Sequence, residues 1–406
     1  MKPKSQALLG LFFLGWTICS AAQDILDHWH LRDPRGLTKV RFLNGQFVGV
    51  GTNGTILTSA DGRVWTARNS GTTSDLSGVT WGAVPFPDGP AFVAVGKAGT
   101  IVRSLSAVNW TLVTTPYSCD LNDVTYGGFG NFIAATTAVT ADTPNFLISV
   151  SGTSWDGIFV PGAQPQFGSP YRMDAVFGSP GAFAFVAAGA PQIADQIWQT
   201  PDGGNTWTNR GLADQIVNGI GYANGRIVMI GWEGRPIIST NNGDSWFFSD
   251  DTNVCTAPLH AGNCDFGKDI TYGASSFVVV RSYIARFTNR GLLTSGDGVT
   301  WTNRSGLAGL EIDTIAFGNG TFVAAGPPGI YRAEVVAPVL TAQRVTGSNA
   351  VHLTMSGEVG RYRLQSSTNF LSWAEVVSFT NTGPPYEFVD PIDTNMTARF
   401  YRVVSP

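Results

Sequence analysis

The sequence predicts an all-β fold: a seven-bladed β-propeller closed by an N-terminal strand and followed by a small β-sandwich. Three observations carry this. A short motif opened by an aromatic residue recurs seven times, a tryptophan ends six of these repeats, and a seventh matching tryptophan lies at the opposite end of the chain. The openers are Phe42, Trp81, Tyr126, Phe177, Tyr222, Tyr272 and Phe317, and the first and last read Phe42-Leu-Asn-Gly-Gln-Phe-Val-Gly-Val-Gly51 and Phe317-Gly-Asn-Gly-Thr-Phe-Val-Ala-Ala-Gly326. The closers are Trp65, Trp110, Trp155, Trp207, Trp246 and Trp301. Trp29-His-Leu-Arg matches Trp65-Thr-Ala-Arg and Trp301-Thr-Asn-Arg, so the strand at Trp29 completes the repeat that begins at Phe317. A ring of sheets closed in this way leaves no exposed edge between its first and last members. The repeat averages about 45 residues, the length that four short strands and their turns require.

From the N-terminus onward, Met1-Lys2-Pro3-Lys4, an apolar run from Ala7 to Ile18 and the small residues Ser20-Ala21-Ala22 have the layout of a secretory signal peptide, expected over residues 1–22. Cys19 lacks the small residue that precedes an acylated cysteine, which argues against a lipid anchor. No later stretch approaches about 18 apolar residues without a break, so no membrane span is expected. The propeller is expected over 23–337. Within its repeats, alternation such as Val124-x-Tyr126 marks strands, and the Asn-Gly pairs supply the positive φ that tight hairpins need. Residues 338–406 break the repeat. Their short alternating runs, Val351–Met355, Tyr362–Asn369, Trp373–Val377, Tyr386–Val389 and Arg399–Val404, suggest the sandwich.

Composition agrees and excludes. With 49 Gly, 25 Phe and 12 Trp but only 13% charged residues, the chain reads as turn-rich all-β. A net charge of −4 disfavours a nucleic-acid partner. The only histidines are His28, His30, His260 and His352, and no phosphate loop, nucleophile motif or His-Glu-x-x-His pair is present, so neither cofactor nor metal is expected. Cys255 and Cys264 share a loop-like segment with Pro258 and Gly262, where export favours a disulfide. Zinc on these two with His260 is the competing reading, but it lacks a second ligand pair. Cys119 is left as a buried thiol.

The turns before the closing tryptophans resemble the Asp-box of sialidases and many other propellers, Ser/Thr-x-Asp-x-Gly-x-Thr/Ser-Trp. Thr200-Pro-Asp202-Gly-Gly204-Asn-Thr206-Trp207 fits fully, and Ser239-Thr-Asn241-Asn-Gly243-Asp-Ser245-Trp246 fits with Asn for Asp. Shorter copies carry Asp61 and Asp297, and degenerate ones run from Ser104 to Trp110 and from Ser149 to Trp155. The resemblance covers about residues 29–334 and is to the non-catalytic, secreted or lumenal type, photosystem-assembly-factor-like propellers included. It implies that Asp61, Asp202, Asn241 and Asp297 are structural. A sialidase would also need an arginine triad, an Arg-Ile-Pro motif and a Tyr/Glu pair. Gly234-Arg-Pro-Ile237 is a poor echo, and the repeats hold only Glu233, Glu311 and Glu334 as glutamates. The C-terminal runs, Tyr362-Arg-Leu-Gln-Ser-Ser-Thr-Asn369 above all, resemble fibronectin-like modules appended to secreted bacterial proteins.

A site is sought where loops are long. The insertions Thr136–Asn145, Phe159–Met173, Ala190–Gln196, Ser249–Lys268 and Arg281–Gly291 all fall on the face opposite the box turns, and loops on a rigid scaffold are where binding residues concentrate. Asp123, Asp174 and Asp269 share one repeat position, expected immediately before the innermost strands and hence around the channel mouth. There they would hold a cation or sugar hydroxyls, or simply bond turn backbone. Tyr171, Arg172, Trp232, Glu233, Tyr283 and Arg286 fall on the same side as candidate ligand contacts. The sequence thus predicts a secreted or periplasmic, non-catalytic monomer that binds a polysaccharide or protein ligand. The alternatives are a diverged sialidase-like glycoside hydrolase, using two of these carboxylates, and an assembly or scaffold factor for an envelope complex.

Overall fold

The computed structural model describes residues 25–404 other than 85–86, 88, 128–129, 139, 141, 161–170, 179–183, 191–192, 201, 213–215, 233–234, 252–266, 282–290, 335–338, 345–349, 357–359, 369–370, 382–384 and 392–398. The signal segment and the Cys255–Cys264 pair lie outside the described residues, while Cys119 is a free, half-buried thiol. The chain divides into two compact units, Leu26–Glu334 and a second containing Val335–Pro406.

The first unit begins with β1 (Trp29–Asp33) and continues as consecutive four-strand sets. Set A is β2–β5 (Lys39–Leu43, Gln46–Val50, Ile56–Ser59, Thr66–Arg68), and set B is β6–β9 (Leu76–Gly82, Ala91–Gly96, Ile101–Ser104, Thr111–Val113). Set C is β10–β13 (Leu121–Tyr126, Phe132–Ala138, Phe146–Ser149, Asp156–Ile158), and set D is β14–β17 (Tyr171–Gly178, Ala184–Ala190, Ile193–Thr200, Thr208–Leu212). Set E is β18–β21 (Ile216–Ala223, Arg226–Trp232, Ile237–Ser239, Phe247–Phe248), and set F is β22–β25 (Gly267–Gly273, Ser276–Arg281, Leu292–Ser295, Thr302–Arg304). Set G is β26–β28 (Thr314–Gly318, Thr321–Gly326, Gly329–Ala333) completed by β1, whose Trp29, His30 and Leu31 pair with Ala333, Arg332 and Tyr331. Sets C and D join as one eight-stranded sheet, because Thr137 and Ala138 of β11 pair with Arg172 and Tyr171 of β14. All pairings are antiparallel. The first strands β2, β6, β10, β14, β18, β22 and β26 touch in that order, and β26 touches β2.

Each hydrophobic cluster of this unit spans two neighbouring sets. Val40, Phe47 and Trp65 of set A meet Ala316, Val323 and Ile330 of set G, and Val48 and Val50 meet Val79, Phe92 and Trp110 of set B. The opener aromatics pack edge-on against the next strand's phenylalanine, as in Phe42–Phe47 and Tyr126–Phe132, both with ring centroids 4.9 Å apart. The tryptophans repeat one local bond: the indole Nε1 donates to the carbonyl three residues back, Trp65 to Gly62 (3.1 Å), Trp110 to Ala107 (3.1 Å), Trp207 to Gly204 (3.0 Å) and Trp301 to Gly298 (3.1 Å). Trp29 does the same to Leu26 at 2.7 Å. The N-terminal tryptophan therefore fills the local role of the other closers.

The turns before the closers are built from side chains that accept turn N–H groups. Asp61 Oδ1 accepts from Arg63 N and Asp297 Oδ1 from Val299 N (both 2.9 Å). Asp202 Oδ1 accepts from Thr206 N (2.8 Å), and Asn241 Oδ1 from Ser245 N (3.0 Å). The bond from the Arg63 N–H, with smaller help from Ser59 and Arg332, holds the Asp61 carboxyl below the usual carboxylate range. The turns of sets A, C, D and E are also latched to the preceding set. Arg103 Nε donates to Ser151 O (3.0 Å), Arg332 Nε to Asp61 O (2.8 Å), Asn131 Nδ2 to Gly203 O and Gln199 Nε2 to Asn242 O (both 3.1 Å).

The second unit holds two three-stranded sheets. One is ordered β29 (Val339–Arg344), β30 (Ala350–Ser356), β33 (Tyr386–Pro391), and the other β32 (Ala374–Asn381), β31 (Gly360–Ser367), β34 (Phe400–Val404). Both contribute to a common core of Val351, Leu353, Met355, Tyr362, Leu364, Tyr401 and Val403. The Tyr401 hydroxyl donates to Asp390 at 2.7 Å, and Arg399 pairs with the same carboxylate at 2.8 Å.

The box glycine is where a turn meets its neighbour. Gly62 sits at φ +78°, and a Cβ there would come within 2.6 Å of Val323 in set G, whereas Gly45, at φ +79°, has open space. Gly45→Ala should cost only the left-handed backbone penalty, about 1–2 kcal/mol. Gly62→Ala should cost about 1–3 kcal/mol more through overpacking. Urea unfolding midpoints of the two variants check this, and equal midpoints would mean that the turn does not bear on the neighbouring sheet.

Candidate functional site

The innermost strands bring a charged cluster to the middle of the ring. Lys39 and Arg41 of β2, in set A, face Asp123 of β10 and Asp269 of β22. Sets C and F are each two places from set A, in opposite directions around the ring, so these pairs cross its centre. Lys39 Nζ lies 3.2 Å from Asp269 and 3.7 Å from Asp123, and Arg41 lies 3.4 Å and 3.6 Å from the same two carboxylates. Asp269 is the firmly held partner. Its oxygens also accept from Thr314 Oγ1 (2.7 Å), Ile270 N (3.0 Å) and Ile315 N (3.2 Å), while Asp123 Oδ1 accepts from Val124 N (2.8 Å). At 1% exposure the burial of Asp269 opposes ionisation, but the Lys39 and Arg41 charges and these bonds hold its carboxyl below the ordinary range.

Local structure explains the placement. Asp123 and Asp269 lie inside β10 and β22, beside irregularities in pairing between Leu121 and Asp123 and between Gly267 and Asp269, not ahead of the strands as the sequence suggested. Asp174 stands three residues before its opener in sequence like the other two, but in β14 it is itself the residue left out where the pairing shifts between Met173 and Ala175. The equivalent positions of sets B and E are glycines because the neighbouring aspartates stand there. A Cβ on Gly78 would lie 2.6 Å from Asp123 Oδ1 and 2.8 Å from its Cα, and one on Gly219 would lie 3.2 Å from the Asp269 Cα.

The other candidate residues scatter. Tyr171 and Arg172 open β14 and pair with β11 instead of lying in a loop, because the inner strand of set D extends to meet set C. Trp232 is the last residue of β19, paired with Ile216, instead of a turn residue. Glu233, Tyr283 and Arg286 lie outside the described residues. Lys39 and Arg41 were missed, although the signal was available: Lys39 stands three residues before the opener Phe42, as Asp123 stands before Tyr126 and Asp269 before Tyr272. The expected ring of free aspartates is thus, at Asp123 and Asp269, an internally paired one. Among the described residues no group of three or more His, Cys, Asp or Glu is arranged to hold a metal ion.

The connections expected to carry ligand contacts have pinned bases. The Thr136 hydroxyl donates to Asn145 O at 3.0 Å, and Asn145 Oδ1 accepts from Val160 N at 2.7 Å. Arg281, 4% exposed, donates to Gly291 O (3.3 Å) and Asn303 Oδ1 (2.9 Å) across the base of the connection it enters. Arg235 pairs with Asp250 and lies over the Phe248 ring, 5.4 Å from its centroid.

No protein-family model matches this chain, and no curated protein matches it. Its fold is shared with solved β-propellers. YCF48 from Cyanidioschyzon merolae is 16% identical, with a TM-score of 0.54 over 75% of this chain and 97% of that one, and YCF48 bound to D1 peptide gives the same identity and TM-score over 79% and 98%. PorZ, a surface component of the type-IX secretion system of Porphyromonas gingivalis, is 10% identical with a TM-score of 0.55, covering 91% of this chain and 59% of PorZ. The GH74 xyloglucanase of Xanthomonas campestris is 12% identical with a TM-score of 0.54, covering 81% of this chain and 59% of the enzyme. The first unit is therefore a β-propeller. At these identities the likeness concerns the fold. No helix among the described residues is long and apolar enough to cross a membrane.

Breaking the channel cluster should be costly in stability. Asp269→Ala leaves the buried Lys39 and the half-buried Arg41 short of a partner and should lower stability by about 3–5 kcal/mol, with Asp269→Ala/Lys39→Met less destabilised than the sum of its parts. Additive effects in denaturant melts would dissolve the cluster. Because the folded carboxyl of Asp269 titrates below its unfolded value, its contribution is present above the ordinary carboxylate pKa of about 3.9 and is lost as pH falls through the lower folded one. Wild type should therefore lose stability between about pH 5 and 2 more steeply than Asp269→Asn, as acid unfolding curves can show.

Proposed function

We propose that this chain is an exported, non-catalytic, seven-bladed propeller that binds a protein ligand through the face bearing its long connections. The observation that carries the reading is the contrast between the two faces. The box turns are short, internally bonded and latched to their neighbours, while the connections on the other side are long in sequence, and the described residues at the bases of those in sets C and F are pinned. Loops held at the root on a rigid scaffold are suited to recognition. Likeness to YCF48 over nearly its whole length supports a polypeptide as the ligand, since that propeller is seen with a D1 peptide bound. A polysaccharide is the other ligand class that such a face suits. In this reading residues 1–22 are an export signal, 338–406 a fibronectin-like module, Cys255–Cys264 a loop disulfide, and the protein acts as a monomer.

A glycoside hydrolase is the second reading, favoured by the likeness to the GH74 xyloglucanase. It would need a general acid other than Asp269, since a carboxyl held below its ordinary range is a poor proton donor near neutrality.

A peptide-display and glycan-array screen of the mature chain, run with hydrolysis assays on the same sugars, tests the proposal. Peptide binding without turnover is the expected result, and sugar turnover would replace the reading with the hydrolase. Trp232→Ala, Tyr283→Ala and Arg286→Ala should each weaken the ligand found by about 10-fold or more if they anchor it. Asp123→Asn should leave affinity unchanged, since its carboxylate faces Lys39 and Arg41. Retained affinity in all three variants would move the site off this face.

A further inference from the structure

The ring closes on a cluster with more positive than negative charge. Glu334, the last residue of the propeller unit, is 6% exposed, and its backbone N–H donates to His28 O at 3.0 Å, tying it to the entry of β1. Three guanidinium groups converge on its carboxylate. Arg63, in the box turn of set A, gives Nε and Nη2 to Oε2 at 2.8 and 2.6 Å. Arg332 of β28 donates to the same oxygen, and Arg32 of β1 pairs with Oε1.

The other nearby carboxylates are already engaged. Asp61 accepts from its own turn, and Asp33 is paired with Arg35, whose Nη2 lies 2.6 Å from it. Even with Asp61 counted, three cations face two anions. The imbalance shows in the groups themselves. Burial, together with the Arg63 and Arg32 charges, holds the Arg332 guanidinium below its ordinary pKa although Asp61 opposes this. Arg32 Nε is buried without a hydrogen-bond acceptor among the described residues, and Glu334 Oε1, which Arg32 faces as an ion pair, is likewise without a hydrogen bond. Arg63 is 56% exposed, so the cluster opens to solvent on one side.

We propose that this seam is an oxyanion site in which Arg32, Arg63 and Arg332 take a sulfate, phosphate or carboxylate group beside Glu334. Guanidinium forks suit such groups, each offering parallel N–H donors to two oxygens. Arg63 and Arg332 use only part of their donors on Glu334 and Asp61, and Arg32 Nε lacks an acceptor. An added anion would supply the missing acceptors and the missing charge. Arg32 lies on the outermost strand of set G, so this site is separate from the channel and does not depend on the loop-bearing face.

The test titrates the full mature chain with inorganic sulfate and with phosphate at low millimolar concentration, against chloride of matched ionic strength. A saturable rise in melting temperature of about 2–4 °C, with matching calorimetric binding, is expected for wild type and should be absent in Arg63→Gln. Dextran sulfate against dextran separates the two sources of the group. Affinity at least about tenfold above that of free sulfate assigns it to a polymer, and equal affinity to the free ion. Glu334→Gln should bind sulfate more tightly than wild type or, if it fails to fold, should recover folding yield when sulfate is present. Identical responses of wild type and Arg63→Gln, a rise that never saturates, or a Glu334→Gln chain that gains neither affinity nor yield would overturn the proposal.

Discussion

The structure depends on contact between neighbouring sheets. A four-strand set whose second strand is buried along its length, as Phe322 to Ala325 are in β27, has two apolar faces and cannot cover either alone. Each set is satisfied only by the next, so the core is a succession of seams and not a single centre. A succession of that kind has a beginning and an end unless it bends back on itself. The seam between sets G and A, where Val323 and Ile330 meet Val40 and Phe47, is thus a condition for all the others. The latches from Arg103, Arg332, Asn131 and Gln199 repeat the same logic in polar terms: at these four seams one sheet holds the turn of the next.

The channel follows from this arrangement. The inner strands β2, β6, β10, β14, β18, β22 and β26 lie side by side around the ring and bring charged side chains from distant sets together. The chain settles this by letting set A supply both cations and sets C and F the anions, with glycine at Gly78 and Gly219 where the aspartates need room. The repeat is therefore equivalent in backbone but not in charge. That asymmetry pairs set A with sets C and F across the axis, on top of the order the chain already imposes.

Much of the architecture was legible because it is written in local repeats. The Phe42-to-Gly51 motif, the closers from Trp65 to Trp301 and the box residues Asp61, Asp202, Asn241 and Asp297 each state a local geometry that recurs, and Trp29 betrays the closing strand by the same local pattern. The site was less legible. Aspartates 123, 174 and 269 were found by their repeat position, but their environment depends on what stands at that position in other sets. Lys39 and Arg41 belong to a part of the chain more than 200 residues from Asp269, and only the ring brings them within 3.2 and 3.4 Å. Tyr171 and Trp232 were read as loop residues because strand ends carry no period of their own. The cluster at Glu334 was invisible for a similar reason: Arg32, Arg63 and Arg332 have nothing in common until β1 and β28 are paired.

The pairing of β1 with β28 also bears on the order of events during synthesis. The partner of Trp29 is Ala333, so the earliest described strand has nothing to pair with until almost the whole propeller has emerged. Intermediate sets can assemble on local contacts as they appear, but the final sheet requires a loop spanning the unit to be closed, and such long-range pairing is slow. Until then both ends of the array show unpaired strand edges, the surface on which chains associate wrongly. The last step of folding is in this sense a search by the two ends for each other, completed when β1 and β28 pair.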